Sequence, residues 1–155
     1  MDKHGFEQRV AALEPRLYRI AYALLWRDAD VADALQESLL KAWRKLGRLR
    51  RDDRFEAWLT AIVVNECKTM LRRRKWESAA LPPETVYTPP EDQGLQDALR
   101  RLPEKYRLPL LLHHLDGYSI QAVSQMLHLP ASTVKGRLYE GRRRLNALLR
   151  EEDHR

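Results

Sequence analysis

Residues 119–145 read S-I-Q-A-V-S-Q-M-L-H-L-P-A-S-T-V-K-G-R-L-Y-E-G-R-R-R-L. Ile120, Val123, Met126 and Leu127 recur at helical spacing, and Ser119 stands where an N-cap belongs. His128-Leu129-Pro130 makes a short turn. A second helix follows from about Ala131 to Glu151. Ser132, Thr133, Lys135 and Arg137 fall in its first turns, Tyr139 next, and Arg142, Arg143 and Arg144 further on. This is the pattern of a helix-turn-helix. A short helical hairpin with a solvated basic face is the alternative. The donors begin at the N-terminus of the second helix, the end that a recognition helix presents to the major groove. Ser132, Thr133, Lys135, Arg137, Tyr139 and Arg142 are therefore the expected duplex contacts.

Upstream of this motif the helical pattern starts at Leu95. Pro103 suits the first turn of a helix running to Leu115, and Asp116-Gly117 stops it. Residues 77–94 break the pattern with Pro82-Pro83, Pro89-Pro90 and several acids. That composition is expected to form a flexible linker. Residues 1–76 are helical again. Phe6, Val10 and Leu13 share one face, and Leu17, Ile20, Ala21, Leu24 and Leu25 continue the stripe after Pro15, which is expected to start a new helix or kink the first. Asp28 or Asp30 is expected to cap a second helix ending near Gly47. A third runs from about Phe55 to Lys75. No strand-like alternation occurs. The expected fold is all-α, with two small helical domains, 1–76 and 95–155, joined by the linker.

The chain has 155 residues, with 28 Lys+Arg against 22 Asp+Glu and a net charge of +6, a balance that suits a polyanionic partner. Cys67 is the single cysteine and reads as a small buried apolar residue; its being alone fits a reducing cytoplasm. Residues 1–8 are charged and show no secretory signal, and no apolar run is long enough to span a bilayer.

A second constellation lies on the third helix. Arg48, Arg50, Arg51 and Arg54 precede Phe55; Trp58, Asn65, Lys68, Arg72, Arg73, Arg74, Lys75 and Trp76 follow. Cations interleaved with aromatics suit single-stranded or partly melted nucleic acid. Phe55, Trp58, Leu59 and Ile62 also have the spacing of core residues, and the arginine run also suits a solvated helix end. Asp30, Asp33 and Glu37, at spacings of three and four, read as an acidic contact face. No glycine-rich phosphate loop, nucleophile elbow or zinc-binding helix motif is present, so neither an enzyme nor a cofactor is expected. His113 and His114 are adjacent on a helix, which is poor geometry for chelation.

Residues 30–44, D-V-A-D-A-L-Q-E-S-L-L-K-A-W-R, resemble the acidic signature helix of extracytoplasmic-function (ECF) sigma factors. Trp58-Leu59 through Asn65 to Arg72-Arg73-Arg74 resembles that family's next helix. Leu102-Pro103-Glu104-Lys105-Tyr106-Arg107 with the helix-turn-helix resembles its C-terminal domain. The resemblance covers nearly the whole chain. It implies a cytoplasmic, non-enzymatic initiation factor that responds to envelope or environmental stress. Its partners would be core RNA polymerase, promoter DNA and an anti-sigma factor, itself placed in some cases at the inner membrane face. The N-terminal domain (sigma region 2) would meet the β′ clamp helices through Asp30, Asp33, Gln36 and Glu37, and melt the minus-ten element. Asn65 would read an extruded base there, with Lys68, Arg72, Arg73 and Arg74 nearby. The C-terminal domain (region 4) would bind the minus-thirty-five duplex and the β flap.

This chain departs from the family pattern at Ala32, His128, Gly136, Glu140 and Gly141. Gly136 and Gly141 inside an exposed helix would cost about 1 kcal/mol each relative to alanine. Glu140, unsuited to phosphate, would be able to accept from a cytosine amino group. A repressor or activator that binds duplex without polymerase is the competing reading, and stoichiometric association with core polymerase separates the two. A nucleic-acid enzyme is disfavoured.

Overall fold

In a computed structural model, which describes residues 1–77 and 93–153, the apolar stripes close two helical units. The first contains α1 (Lys3–Leu25), α2 (Asp28–Lys45) and α3 (Phe55–Glu77), with single 3-10 turns at Leu46–Arg48 and Asp52–Arg54. The second contains α4 (Gln93–Arg101), α5 (Glu104–Leu110), a π turn (Leu111–Leu115), α6 (Ile120–Leu127) and α7 (Ala131–Asp153). No strand forms among the described residues. The proline-rich stretch expected as a linker lies outside them from 78 to 92.

In the first unit each helix packs on the other two. Leu17, Ile20, Leu24 and Leu25 of α1 meet Val31, Ala34 and Ala42 of α2, and Phe55, Leu59, Val63, Val64 and Cys67 of α3. Cys67 is buried, as its apolar company requires. Pro15 does not divide α1, which runs unbroken through it. The reason is local: Pro15 faces solvent, so the carbonyl it leaves without a donor can be hydrated. Buried anchors on either side, Phe6 and Leu17, hold both halves in one helix. The expected cap of α2 is also corrected. Arg27 occupies the N-cap and its side chain makes no capping bond, while Asp28 and Asp30 lie in the first turn. Asp28 instead accepts from the Tyr18 hydroxyl, and this bond pushes the Tyr18 pKa up to about 12.

In the second unit α7 is the spine, packing against α4, α5 and α6. Val123, Met126, Val134 and Leu138 join Leu99, Leu102, Leu108 and Leu112 in its core. Gly117 adopts φ 75°, which turns the chain so that the Tyr118 N–H reaches the Leu112 carbonyl at 3.0 Å. Ser119 caps α6 by accepting from the Ala122 N–H at 3.0 Å. His128 ends that helix at φ 56°, ψ 46°, the left-handed conformation normally left to glycine. Histidine tolerates it better than branched residues do. The turn is further tied by the Leu129 N–H on the Ser124 carbonyl, 3.0 Å, and by the Ser124 hydroxyl on the Leu129 carbonyl.

Gly141 is not an exposed helix glycine. A Cβ there would stand 3.1 Å from Leu110 Cδ1 and 3.2 Å from Tyr106 Cβ. The missing side chain lets α7 approach α5. Gly136 meets nothing and is exposed, so the propensity argument holds for it alone.

Candidate functional site

The signature helix α2 places Asp33, Gln36 and Glu37 one turn apart along one lip of a groove. Leu40, Lys41, Glu66, Met70 and Arg73 complete its lining, and its volume is about 580 Å³. Asp33 and Gln36 are exposed and Glu37 is half-buried. Leu40 and Trp43, each nearly half exposed, continue the face with apolar surface. An acidic edge beside exposed aliphatic and aromatic carbon suits a basic protein partner better than a small ligand.

The floor of this groove holds a pair that the sequence did not disclose. Glu66 is buried on α3, and Lys41 of α2 donates to its Oε2 at 2.5 Å. A buried carboxylate needs such a partner. The pair fixes α2 against α3, and with it the register of Asn65, the next residue along. The available signal was an acid set among Val63, Val64 and Cys67.

The basic residues of α3 separate by face. Asn65, Lys68 and Arg72 fall on one ridge at spacings of three and four, with Asn65 and Arg72 exposed. Thr69 donates to the Asn65 carbonyl at 3.0 Å, and Arg72 Nη2 lies 3.4 Å from Thr69 Oγ1. Arg73 turns into the groove with Asp33 and Glu37. Arg74 turns inward: it donates to the Leu25 carbonyl at 2.8 Å and forms an ion pair with Asp30. Asp30 and Arg74, expected on two different binding faces, thus engage each other and clamp the ends of α1, α2 and α3. Phe55 and Leu59 are fully buried in the core, whereas Trp58 and Ile62 are half-buried at its edge.

This assignment has a direct consequence. Arg74→Ala strands the Leu25 carbonyl and the Asp30 carboxylate, and is expected to cost the first unit about 2 kcal/mol. Arg72→Ala, on the solvated ridge, is expected to cost almost none. All four tryptophans lie within the first 76 residues, so fluorescence-detected urea unfolding of the full chain reads this unit alone. Equal midpoints for the two variants would assign Arg74 to a surface role.

On α7, Ser132, Lys135 and Tyr139 are exposed at spacings of three and four, and Tyr139 keeps 69% of its surface. Thr133 and Arg137 are half-buried on the adjoining strip. Arg142 bends back: its Nε donates to the Leu138 carbonyl at 3.3 Å, and its side chain lines an apolar pocket of about 170 Å³. Leu95, Leu99, Leu111, Leu115 and His114 form other walls of that pocket. Burial, then the neighbouring Arg142, lowers the His114 pKa. The two histidine rings, both in the π turn, stand 4.9 Å apart in a T arrangement. His113 Nδ1 is already bonded to the Tyr118 carbonyl at 2.7 Å.

Two family models match the chain in order: sigma-70 region 2 over residues 9–77 and sigma-70 region 4 over residues 92–145. The ECF RNA polymerase sigma factor SigM of Mycobacterium tuberculosis is 36% identical over 156 residues, spanning 96% of this chain and 79% of that protein. The ECF RNA polymerase sigma-E factor of Salmonella typhimurium is 32% identical over 136 residues, spanning 73% and 70%. Among solved structures, the sigma factor RpoE in complex with the anti-sigma factor NepR, from Bartonella quintana, matches with a TM-score of 0.84 at 24% identity, over 94% of this chain and 97% of that one. CnrH in complex with the cytosolic domain of CnrY matches at 0.78 and 25% identity, over 97% and 90%. An acidic groove helix, a basic α3 and a helix-turn-helix in that order, with relatives this similar over most of their length, make the chain a member of the extracytoplasmic-function family of RNA polymerase sigma factors.

Proposed function

We propose that the chain binds core RNA polymerase through the α2–α3 groove and directs initiation at promoters that its two units read separately. The observation that carries this reading is the groove itself. Asp33, Gln36 and Glu37 converge there beside exposed Leu40, while Asn65, Lys68 and Arg72 form a polar ridge on the same α3. The acidic lip suits the basic clamp helices of the β′ subunit. The ridge suits an unpaired minus-ten strand, whose extruded base the Asn65 amide would read. The second unit would place α7 in the major groove of the minus-thirty-five element and offer the apolar pocket beside Leu115 to the β flap. The domain limits fitting this reading are 1–76 and 95–155, with 77–94 as tether. Two weakly binding units on one tether gain avidity only at promoters whose elements are compatibly spaced.

Anti-sigma control belongs to the same proposal. The two solved structures named above are complexes, one with an anti-sigma factor and one with the cytosolic domain of CnrY. A partner covering the groove and the α7 face would block both functions. Co-purification of the chain from its native cytoplasm or membrane fraction tests this, and recovery with polymerase alone would count against it. No described helix is long and apolar enough to cross a membrane. In vitro transcription with core polymerase on genomic promoter fragments tests the function as a whole. Failure to direct any start site, with a chain that does bind duplex, would favour a polymerase-independent regulator.

Within α7, Lys135 is expected to read bases and Arg137 to hold phosphate. Lys135 is exposed beside Ser132 and Tyr139, whereas Arg137 is half-buried on the flank. Lys135→Ala should cost about 1–3 kcal/mol at one base pair and change the motif selected from a randomised duplex library. Arg137→Ala should weaken all sequences alike and shrink the salt dependence. The same selected motif from Lys135→Ala as from the parent would end the base-reading assignment.

A further inference from the structure

An acid stands inside the basic run of α7. Glu140 lies three and four residues before Arg143 and Arg144, so the three share one strip of helix. Arg143 grips both carboxylate oxygens, Nε to Oε2 at 3.1 Å and Nη2 to Oε1 at 2.6 Å. Arg144 Nε donates to Oε1 at 3.0 Å. Arg144 is held a second time, its guanidinium carbon 4.6 Å from the centroid of the Tyr106 ring. These bonds, that from Arg143 first, pull the Glu140 pKa down to about 2. The cluster is nonetheless at the surface: the side chains of Arg143, Arg144 and Glu140 keep 65%, 45% and 27% of their area.

We propose that Glu140 is an internal counter-ion that competes with DNA phosphate for Arg143 and Arg144 and so lowers the affinity of α7 for duplex of any sequence. The inference rests on reading α7 as the duplex-contacting helix. Sequence-independent binding comes almost wholly from cations that displace counter-ions from phosphates. An arginine already bonded to a carboxylate must give up those charge-assisted bonds to reach a phosphate. Three charged groups therefore present a net charge of one rather than two. Ser132, Lys135 and Tyr139, nearer the N-terminus of α7, make none of these bonds, so base reading is untouched. Weakening the common term while sparing the sequence-dependent one lowers every affinity by the same factor, so Glu140 sets how tightly α7 holds duplex and not which duplex it prefers. The opposite role is also concrete: Glu140 would hold the two arginines ready for phosphate, and its loss would then weaken binding.

The test uses the full-length chain, a short fluorescent duplex of random sequence, and the duplex that the parent selects from a randomised library, each titrated across KCl concentrations. Glu140→Gln should bind the random duplex about threefold or more tighter at low salt and steepen the salt slope by about one. It should gain the same factor on the selected duplex, so the ratio of the two affinities stays constant. Adding Arg143→Ala and Arg144→Ala to Glu140→Gln should return the slope to the parental value or below. Equal or weaker binding of the random duplex by Glu140→Gln overturns the proposal, as does a gain that survives loss of both arginines. If the parent shows no salt-dependent duplex binding, the reading of α7 itself falls and the proposal with it.

Discussion

A chain carrying Asp33→Lys and Glu37→Lys together is expected to lose core polymerase binding while keeping its fold. Both residues sit on the lip of the α2–α3 groove, and neither carries an ion pair among the described residues. No described ion pair of the unit is therefore broken by reversing their charge. A basic partner surface facing that lip would meet like charge at two points, and such juxtaposition costs several kcal/mol. Affinity should therefore fall by about a hundredfold or more at moderate ionic strength. Asp30 must stay out of this variant. Its carboxylate engages Arg74, so reversing it would unpin α3 and confound binding with stability. Titration of labelled polymerase measures the loss, and tryptophan fluorescence during urea unfolding verifies the fold. Undiminished polymerase binding by a folded double variant would remove the groove from the interface.

The helices and their order were legible because each carries a stripe at helical period around a compact core. Ser119 and Gly117 were legible for the same kind of reason: their roles are fixed within a few residues of chain. What the sequence could not show depends on which face meets which neighbour. Arg72, Arg73 and Arg74 look alike in a row, yet a rotation of about 100° per residue sends them to a solvated ridge, a groove and an internal clamp. Only the position of the Leu25 carbonyl and Asp30 decides that the third is internal. That Pro15 starts no new helix has a related reason. A proline removes one hydrogen bond, but whether the helix breaks depends on hydration and on packing to either side. Gly141 was readable in principle, since Val134, Leu138, Gly141 and Leu145 repeat at spacings of four, three and four. It belongs to the apolar stripe, and a glycine there signals close approach of another helix rather than weak propensity.

Asn65→Ala is expected to lower open-complex formation about ten- to a hundredfold while leaving closed-complex binding nearly intact. Asn65 is exposed, but its neighbours Val64 and Glu66 are buried, and Glu66 is locked to Lys41. The backbone that presents the amide is therefore held on both sides, and truncating the side chain removes only what projects into solvent. An asparagine amide donates and accepts together, so it recognises a base edge through paired hydrogen bonds worth about 1–3 kcal/mol. The Watson–Crick edge is hidden in duplex and becomes available only when the base leaves the stack. On the proposed reading the contact would therefore contribute to the melted state and not to the initial complex, which α7 and the phosphate-directed cations would sustain. Arg72→Ala supplies the contrast: a cation on the same ridge should weaken every promoter alike and reduce the salt slope. Permanganate reactivity of thymines in the bubble, measured at saturating polymerase, reads the melted fraction directly. If Asn65→Ala leaves that reactivity at the parental level, the amide does not capture an unpaired base, and the polar ridge of α3 serves phosphate alone.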